Sequence, residues 1–291
     1  MRIIITFAPM KQLFCIILTL FLVACSQRKE QFQIEVLNSY TPVKQQGKSA
    51  SCWIYAMLSA IETEHIMRGD SVELSTAWIE TMMRRDPHAP RNGRGTALTV
   101  LHLINRYGIV PHHAMPNRNA SLPRWAFMLG TTYTPHEFAH SVCAPGEYIG
   151  IGATDGQPSY TYYKLNNPDN WTGDSLWNVP RDSLLALTER AVRNRHGVCW
   201  EGDISENGFD WKHGVARPSL IGGSTTDDHC MAIVGIARDQ EGQPYFVMKN
   251  SWGTENQRKG LIFMHFDYFL RNTVLVVLPK ETTQCLQNRP N

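Results

Sequence analysis

The sequence predicts an α+β fold, helical first and β-rich second, and three observations carry that expectation. After a loop marked by Pro42 and Gly47, the apolar residues Ile54, Met57, Leu58 and Ile61 recur at helical spacing and continue towards Ile66. Far downstream, an apolar run ending at Ala237 and a second from Tyr245 to Met248 flank a Gly-containing turn, the pattern of a β-hairpin. Hydrophobic residues make up 43% and charged residues 19% of a 291-residue chain, so there is enough apolar surface to bury a core, as one large domain or two modest ones.

The remaining elements follow in chain order. Residues 10–24 place a positive charge, Lys11, before an apolar run too short for a comfortable membrane span. The run ends in Leu22-Val23-Ala24-Cys25, which resembles a bacterial lipobox. The expectation is a signal segment at 1–24, lipidation of Cys25, and a tether at 25–40 that anchors the protein to a lipid membrane of the bacterial cell envelope, at the periplasmic or outer surface. About fifteen residues separate Cys25 from Thr41, too few for a folded pro-domain. Leu98, Leu101, Leu103 and Ile104 predict a helix closed by Gly108. A helix is expected at 182–194 and a strand at 198–204. The organisation expected is a helical part over 41–134, a β-rich part over 135–280, and a tail over 281–291.

A net charge of +2 with acids and bases interspersed gives too weak a field for a nucleic-acid partner, and a peptide or protein substrate suits the composition better. Seven cysteines are present, at 15, 25, 52, 143, 199, 230 and 285, with no C-x-x-C pair to suggest a zinc ribbon. The last four are open to disulfide pairing or to burial as free thiols.

Cys52 is the residue to which chemistry is assigned. It stands where the loop turns into the first long helix, so unpaired amides and the helix dipole favour its thiolate. The small residues Ser49, Ala50 and Ser51 leave room for a substrate backbone. Gln46, six residues earlier, is placed to aim its amide at the same point and, with the Cys52 N–H, to form an oxyanion hole. In the hairpin, His229 begins the first strand and Asn250 ends the second, so the turn brings them together across twenty-one residues of sequence. A Cys–His nucleophile needs a third group to fix the imidazole tautomer, and the Asn250 amide oxygen supplies one, with Trp252 covering the bond.

These segments resemble the papain family of cysteine peptidases. The Gln46-Gly47 pair, the small-residue turn, Cys52-Trp53 opening a long helix, Asp228-His229, and Asn250-Ser251-Trp252-Gly253 stand in the family's order of Cys, His and Asn. Ser49 departs from the pattern, for the family usually has a disulfide cysteine there. The resemblance implies a two-lobe fold, a helical left lobe and a β-barrel-like right lobe, with the active-site cleft between them. It also implies a substrate-binding backbone at Gly95, where Arg94 replaces the first residue of a Gly-Gly turn, and substrate-side roles for Trp252 and Asp228. The segment order, including Gly197 to Asp203, is similar to the bleomycin hydrolase and aminopeptidase C branch. Endopeptidase and aminopeptidase action both remain open, and no cofactor or metal is expected.

One competing motif needs weighing. His136, Glu137 and His140 spell H-E-x-x-H, the zinc-peptidase signature. Pro135 precedes it, no apolar helix leads into it, Cys143 stands where the metzincin pattern needs Gly, and no third ligand follows. A short helix without metal is the expectation for this stretch.

Overall fold

The computed structural model describes residues 31–205, 207–219 and 229–284. Cys25, Asp228, Cys285, the signal segment expected at 1–24 and most of the expected tail therefore lie outside the described residues.

Four helices build the first part. α1 (Cys52–Arg68) starts at the loop junction predicted for it and ends at Gly69, which caps it in the left-handed conformation. It is buried almost all round rather than on one face, as a helix between two packed layers must be. Its polar residues have partners: Glu62 accepts from the Leu74 amide at 2.8 Å, and His65 Nε2 meets the Val142 carbonyl at 2.8 Å. α2 (Thr76–Arg85) is capped by Ser75, whose hydroxyl accepts from the Trp78 amide. α3 (Ala97–Tyr107) opens on a capping box between Thr96 and Thr99 and stops at Gly108. A side chain at Gly108 would collide with the Pro135 backbone at 2.3 Å. α4 (Pro135–Val142) covers the H-E-x-x-H stretch.

Thirteen strands are described. They are β1 (Gln33–Leu37), β2 (Ala126–Met128), β3 (Thr131–Tyr133), β4 (Tyr148–Gly152), β5 (Tyr162–Lys164), β6 (Ser175–Asn178), β7 (Val198–Gly202), β8 (Phe209–Asp210), β9 (Val215–Ala216), β10 (His229–Arg238), β11 (Pro244–Lys249), β12 (Leu261–His265) and β13 (Thr273–Pro279). β2 and β3 form a small hairpin, and the other eleven make one mixed sheet ordered β5-β6-β4-β13-β7-β10-β11-β12-β9-β8, with β1 also on β10. The two-residue period of the strands divides two cores. Cys199, Cys230, Leu275 and Val277 face the cluster holding α1 to α4. Trp200, Met231, Ile233 and Val276 face α5 (Arg181–Arg193) and α6 (Phe266–Asn272) on the other side.

Two expectations need correction. Residues 33–37, expected within a tether, form β1 and pair antiparallel with the far end of β10. A run as short as Gln33-Ile34-Glu35-Val36-Leu37 carries a weak strand signal until an edge is available to pair with. The H-E-x-x-H helix, expected to open the β-rich part, buries Phe138, Ala139 and Val142 in the helical core instead. The helices expected at 98–104 and 182–194 and the strand at 198–204 are α3, α5 and β7 within a few residues.

Candidate active site

Cys52 is the first residue of α1. Its neighbour Ser51 does not cap the helix: the hydroxyl donates to Glu80 Oε1 at 2.9 Å, which pins the loop to α2 and leaves the helix amides to the sulfur. Among the described cysteines, Cys143, Cys199 and Cys230 are buried free thiols. Burial pushes Cys143 up to about 12 and the other two well above the ordinary thiol range. Cys52 goes the opposite way. A hydrogen bond from the Cys230 thiol, followed by hydrogen bonding and charge from His229, holds it well below the ordinary value despite burial. It is the one described thiol whose surroundings favour the anion.

The β10–β11 hairpin forms as predicted, with Ala232 opposite Lys249, so His229 and Asn250 meet beyond the last pair. His229 Nε2 lies 2.7 Å from Asn250 Oδ1, which leaves Nδ1 for the sulfur side. Asn250 is held in turn, because its Oδ1 also accepts from the Ser251 backbone amide at 2.7 Å and its backbone N–H donates to the Gly260 carbonyl at 3.1 Å. The Trp252 ring sits 4.6 Å from the imidazole, centroid to centroid, and Trp211 and Phe209 pack on Trp252 edge to face. This aromatic group keeps solvent from the His–Asn bond.

Gln46 is fixed from the same hairpin. Its backbone N–H donates to the Ser251 carbonyl at 2.8 Å, its Oε1 accepts from Ser251 Oγ at 2.5 Å, and its Nε2 donates to the Ser49 carbonyl at 2.8 Å. The amide is thus oriented with its nitrogen towards the loop before Cys52. A cleft of about 160 Å³ is lined by Gln46, Cys52, Gly95, His229 and Trp252 together, so these five predicted residues share one hollow. Gly95 is there for a packing reason as well, since a Cβ would stand 3.0 Å from the Trp53 indole. Asp228 lies outside the described residues.

Several contributors escaped the sequence reading. Cys230 lines the cleft as well as touching Cys52. It directly follows His229 in a strand, so alternation turns it to the face that packs on α1; that was the available signal. Ser251, which orients Gln46, was visible in the Asn-Ser-Trp-Gly run but carried no assigned role. Asp169 binds Arg94 Nε at 2.6 Å on the cleft wall and comes from a loop with no recognisable motif. Buried Glu201 accepts from the Ala97 amide at 2.7 Å and so anchors the start of α3 beside Gly95.

The H-E-x-x-H residues are occupied differently. The Glu137 carboxylate accepts from the Thr134 amide at 2.7 Å and hydroxyl at 2.8 Å, closing a capping box for α4. His136 Nε2 contacts the Arg106 carbonyl at 3.2 Å. Among the described residues, the one His/Cys/Asp/Glu group close enough to hold a metal is Glu64, His196 and Glu281, which is elsewhere and salted with Arg68.

The sequence profile of the family described as "Papain family cysteine protease" matches residues 29–273. Similar curated proteins include a cathepsin L-like peptidase of Aedes aegypti, 23% identical over 233 residues, covering 77% of this chain and 55% of the relative. Ananain of Ananas comosus is 22% identical over 216 residues, covering 73% of this chain and 49% of its own. The chain spans about half the length of these relatives. Among solved structures, that of PepW from Lactobacillus rhamnosis aligns at a TM-score of 0.68 over 100% of this chain and 97% of its own, with 15% identity. Procathepsin L 3 of Tenebrio molitor aligns at 0.52 over 84% and 68%, with 20% identity. At those identities the likeness is one of fold, with helices packed on a large mixed sheet. The profile match, which spans the helical part, the hairpin and most of the sheet, is the broader finding, and by it the chain belongs to the papain family of cysteine proteases.

Proposed function

We propose that this protein hydrolyses peptide bonds through a thioester on Cys52. One observation carries the reading: a thiol whose surroundings favour the anion shares a cleft with an imidazole, and the far nitrogen of that imidazole is held at 2.7 Å by an amide oxygen. The Cys52 thiolate attacks the peptide carbonyl. The oxyanion is stabilised by the Cys52 amide and the Gln46 side chain. His229, protonated, gives its proton to the leaving amine, then serves as base for the water that releases the acyl group. Asn250 keeps the ring in the tautomer and orientation that both steps need.

Digestion of a mixed peptide library with sequencing of the products tests the activity and reads the cleavage mode at once. Single residues released from free amino termini support the aminopeptidase C-like branch, and internal cuts support endopeptidase action. Cys52→Ala is expected to abolish turnover and labelling by an epoxide warhead, while a chelator leaves turnover intact. Activity that survives Cys52→Ala and is lost to the chelator supports zinc chemistry at His136 and His140 instead.

The protein acts, in this reading, from a membrane. The Leu22-Val23-Ala24-Cys25 ending supports lipidation at Cys25 in the bacterial cell envelope. A labelled fatty acid should enter the full chain and not Cys25→Ser. Equal labelling of the two would remove the anchor from the proposal.

A further inference from the structure

A second and larger hollow, about 510 Å³, adjoins the cleft. The two share Ser49 and Ala50, the small residues just before Cys52. Gly93 lines the hollow, while the next residues, Arg94 and Gly95, line the cleft. A chain whose carbonyl reaches Cys52 therefore passes its mouth. His229 and Trp252 line the cleft but not the hollow. The leaving amine must face His229 to take its proton, so the hollow serves the acyl side of the scissile bond.

Its charge is lopsided. The floor is apolar, with Ile54 and Met83. The carboxylate that lines it, Glu80, is buried, accepts from Ser51, and is neutralised by Arg118. Three more cations, Lys48, Arg84 and Arg91, line the hollow, are exposed, and have no ion-pair partner among the described residues. A chain of net charge +2 has gathered an excess of three positive charges around one depression next to its nucleophile. A concave site with an apolar floor and a cationic rim suits a short side chain ending in a carboxylate.

We infer that this hollow receives an acidic side chain, and that the enzyme prefers Asp or Glu as the residue supplying the scissile carbonyl. The inference rests on the peptidase reading above and adds its substrate class. The loop between cleft and hollow is tied by the Ser49 and Ser51 hydroxyls.

The test uses the full chain and two readouts. Fluorogenic peptides differing only at the acyl-side residue, Glu against Gln and Asp against Asn, give kcat/KM ratios. Peptidyl halomethyl ketones carrying Asp or Asn at the same position give labelling rates at Cys52 that do not depend on turnover. The acidic member of each pair is expected to react about tenfold faster at low salt, the scale of a few partly screened charge contacts. The ratio should fall towards one in high salt, and Arg84→Glu with Arg91→Glu should bring it below one. Lys164→Glu, the same kind of charge change on a distant strand, should leave the ratio as it was. Ratios near one at low salt, or ratios equal in the wild type and the double variant, overturn the acidic preference while leaving a peptidase in place. If no peptide is cut and Cys52 takes up no warhead, the peptidase reading itself fails, and this inference with it.

Discussion

At the scale of single residues, the site is a set of mutual constraints rather than a triad on a scaffold. Asn250 Oδ1 serves both His229 and the Ser251 amide, and Ser251 then orients Gln46, so a single turn of backbone sets the imidazole and the Gln46 side-chain amide together. Cys230 is the least expected participant. Buried beside Cys52, its S–H favours the Cys52 anion, as His229 also does. Its own proton is retained because burial and the neighbouring sulfur push its ionisation upward. Removing that donor leaves the helix amides and His229 to hold the thiolate. Cys230→Ala should therefore move the pH dependence of Cys52 alkylation by iodoacetamide to higher pH, with slower reaction on the acid side. Cys230→Ser, which restores a donor, should bring the profile part of the way back. Superimposable profiles for Cys230→Ala and the wild type would show that Cys230 merely fills space.

Elements differ in how much of them could be read from the chain. α1, α3, α5 and the β10–β11 hairpin each carry a period, a cap or a turn within their own residues, and each lies where those signals put it. β1, β8 and β9 are five residues or fewer and exist by virtue of the edges they pair with, which no local pattern encodes. The same division runs through the site. Cys52 and His229 begin elements with strong local signals, and Gln46 and Asn250 adjoin such elements, whereas Asp169 and the cations around the second hollow meet only by folding. Lys249 shows an element-level cost of this arrangement. It lies at the end of β11, is buried, and donates to Thr41 Oγ1 at 2.8 Å and Ser59 Oγ at 2.9 Å, joining β11 to α1 just before Asn250. Burial lowers its pKa from 10.5 to about 8. Between those values the unfolded chain binds the proton that the folded chain has released, so this lysine's contribution to stability rises with pH from about 8 to 10.5. The full change is about 3 kcal/mol by the conversion of pKa to free energy. Unfolding free energies of the wild type minus those of Lys249→Met should climb across that window. A difference that stays level with pH would mean that the amine is not desolvated.

Across the whole molecule, the sheet is the shared wall of two cores, and β10 is where they meet. Its near end, His229 to Ile233, is paired by β7, and its far end, Gly235 to Arg238, by β1. β1 is bound by more than its ladder: Glu35 pairs with Arg193 and Arg238, Asn38 Nδ2 donates to the Val192 carbonyl at 3.0 Å, and the Asn38 amide donates to the Val234 carbonyl at 2.8 Å. It therefore ties β10 to the end of α5. Gly235 has no room for a side chain because the Val36 carbonyl lies 2.4 Å from where its Cβ would be, so the approach of β1 is built into the strand it covers. A chain beginning at Thr41 would uncover the far half of β10 and leave Arg193 and Arg238 without Glu35. It should unfold at a lower urea concentration than one beginning at Phe32, with accelerated amide exchange along 235–238. The pairing of His229 with β7 predicts that exchange at 229–233 changes less. Equal urea midpoints for the two chains would return residues 33–37 to the status of a tether. A uniform rise in exchange along all of β10 would mean instead that β1 holds the strand as a whole, and that residues 33–37 are part of what keeps the His229 imidazole in place.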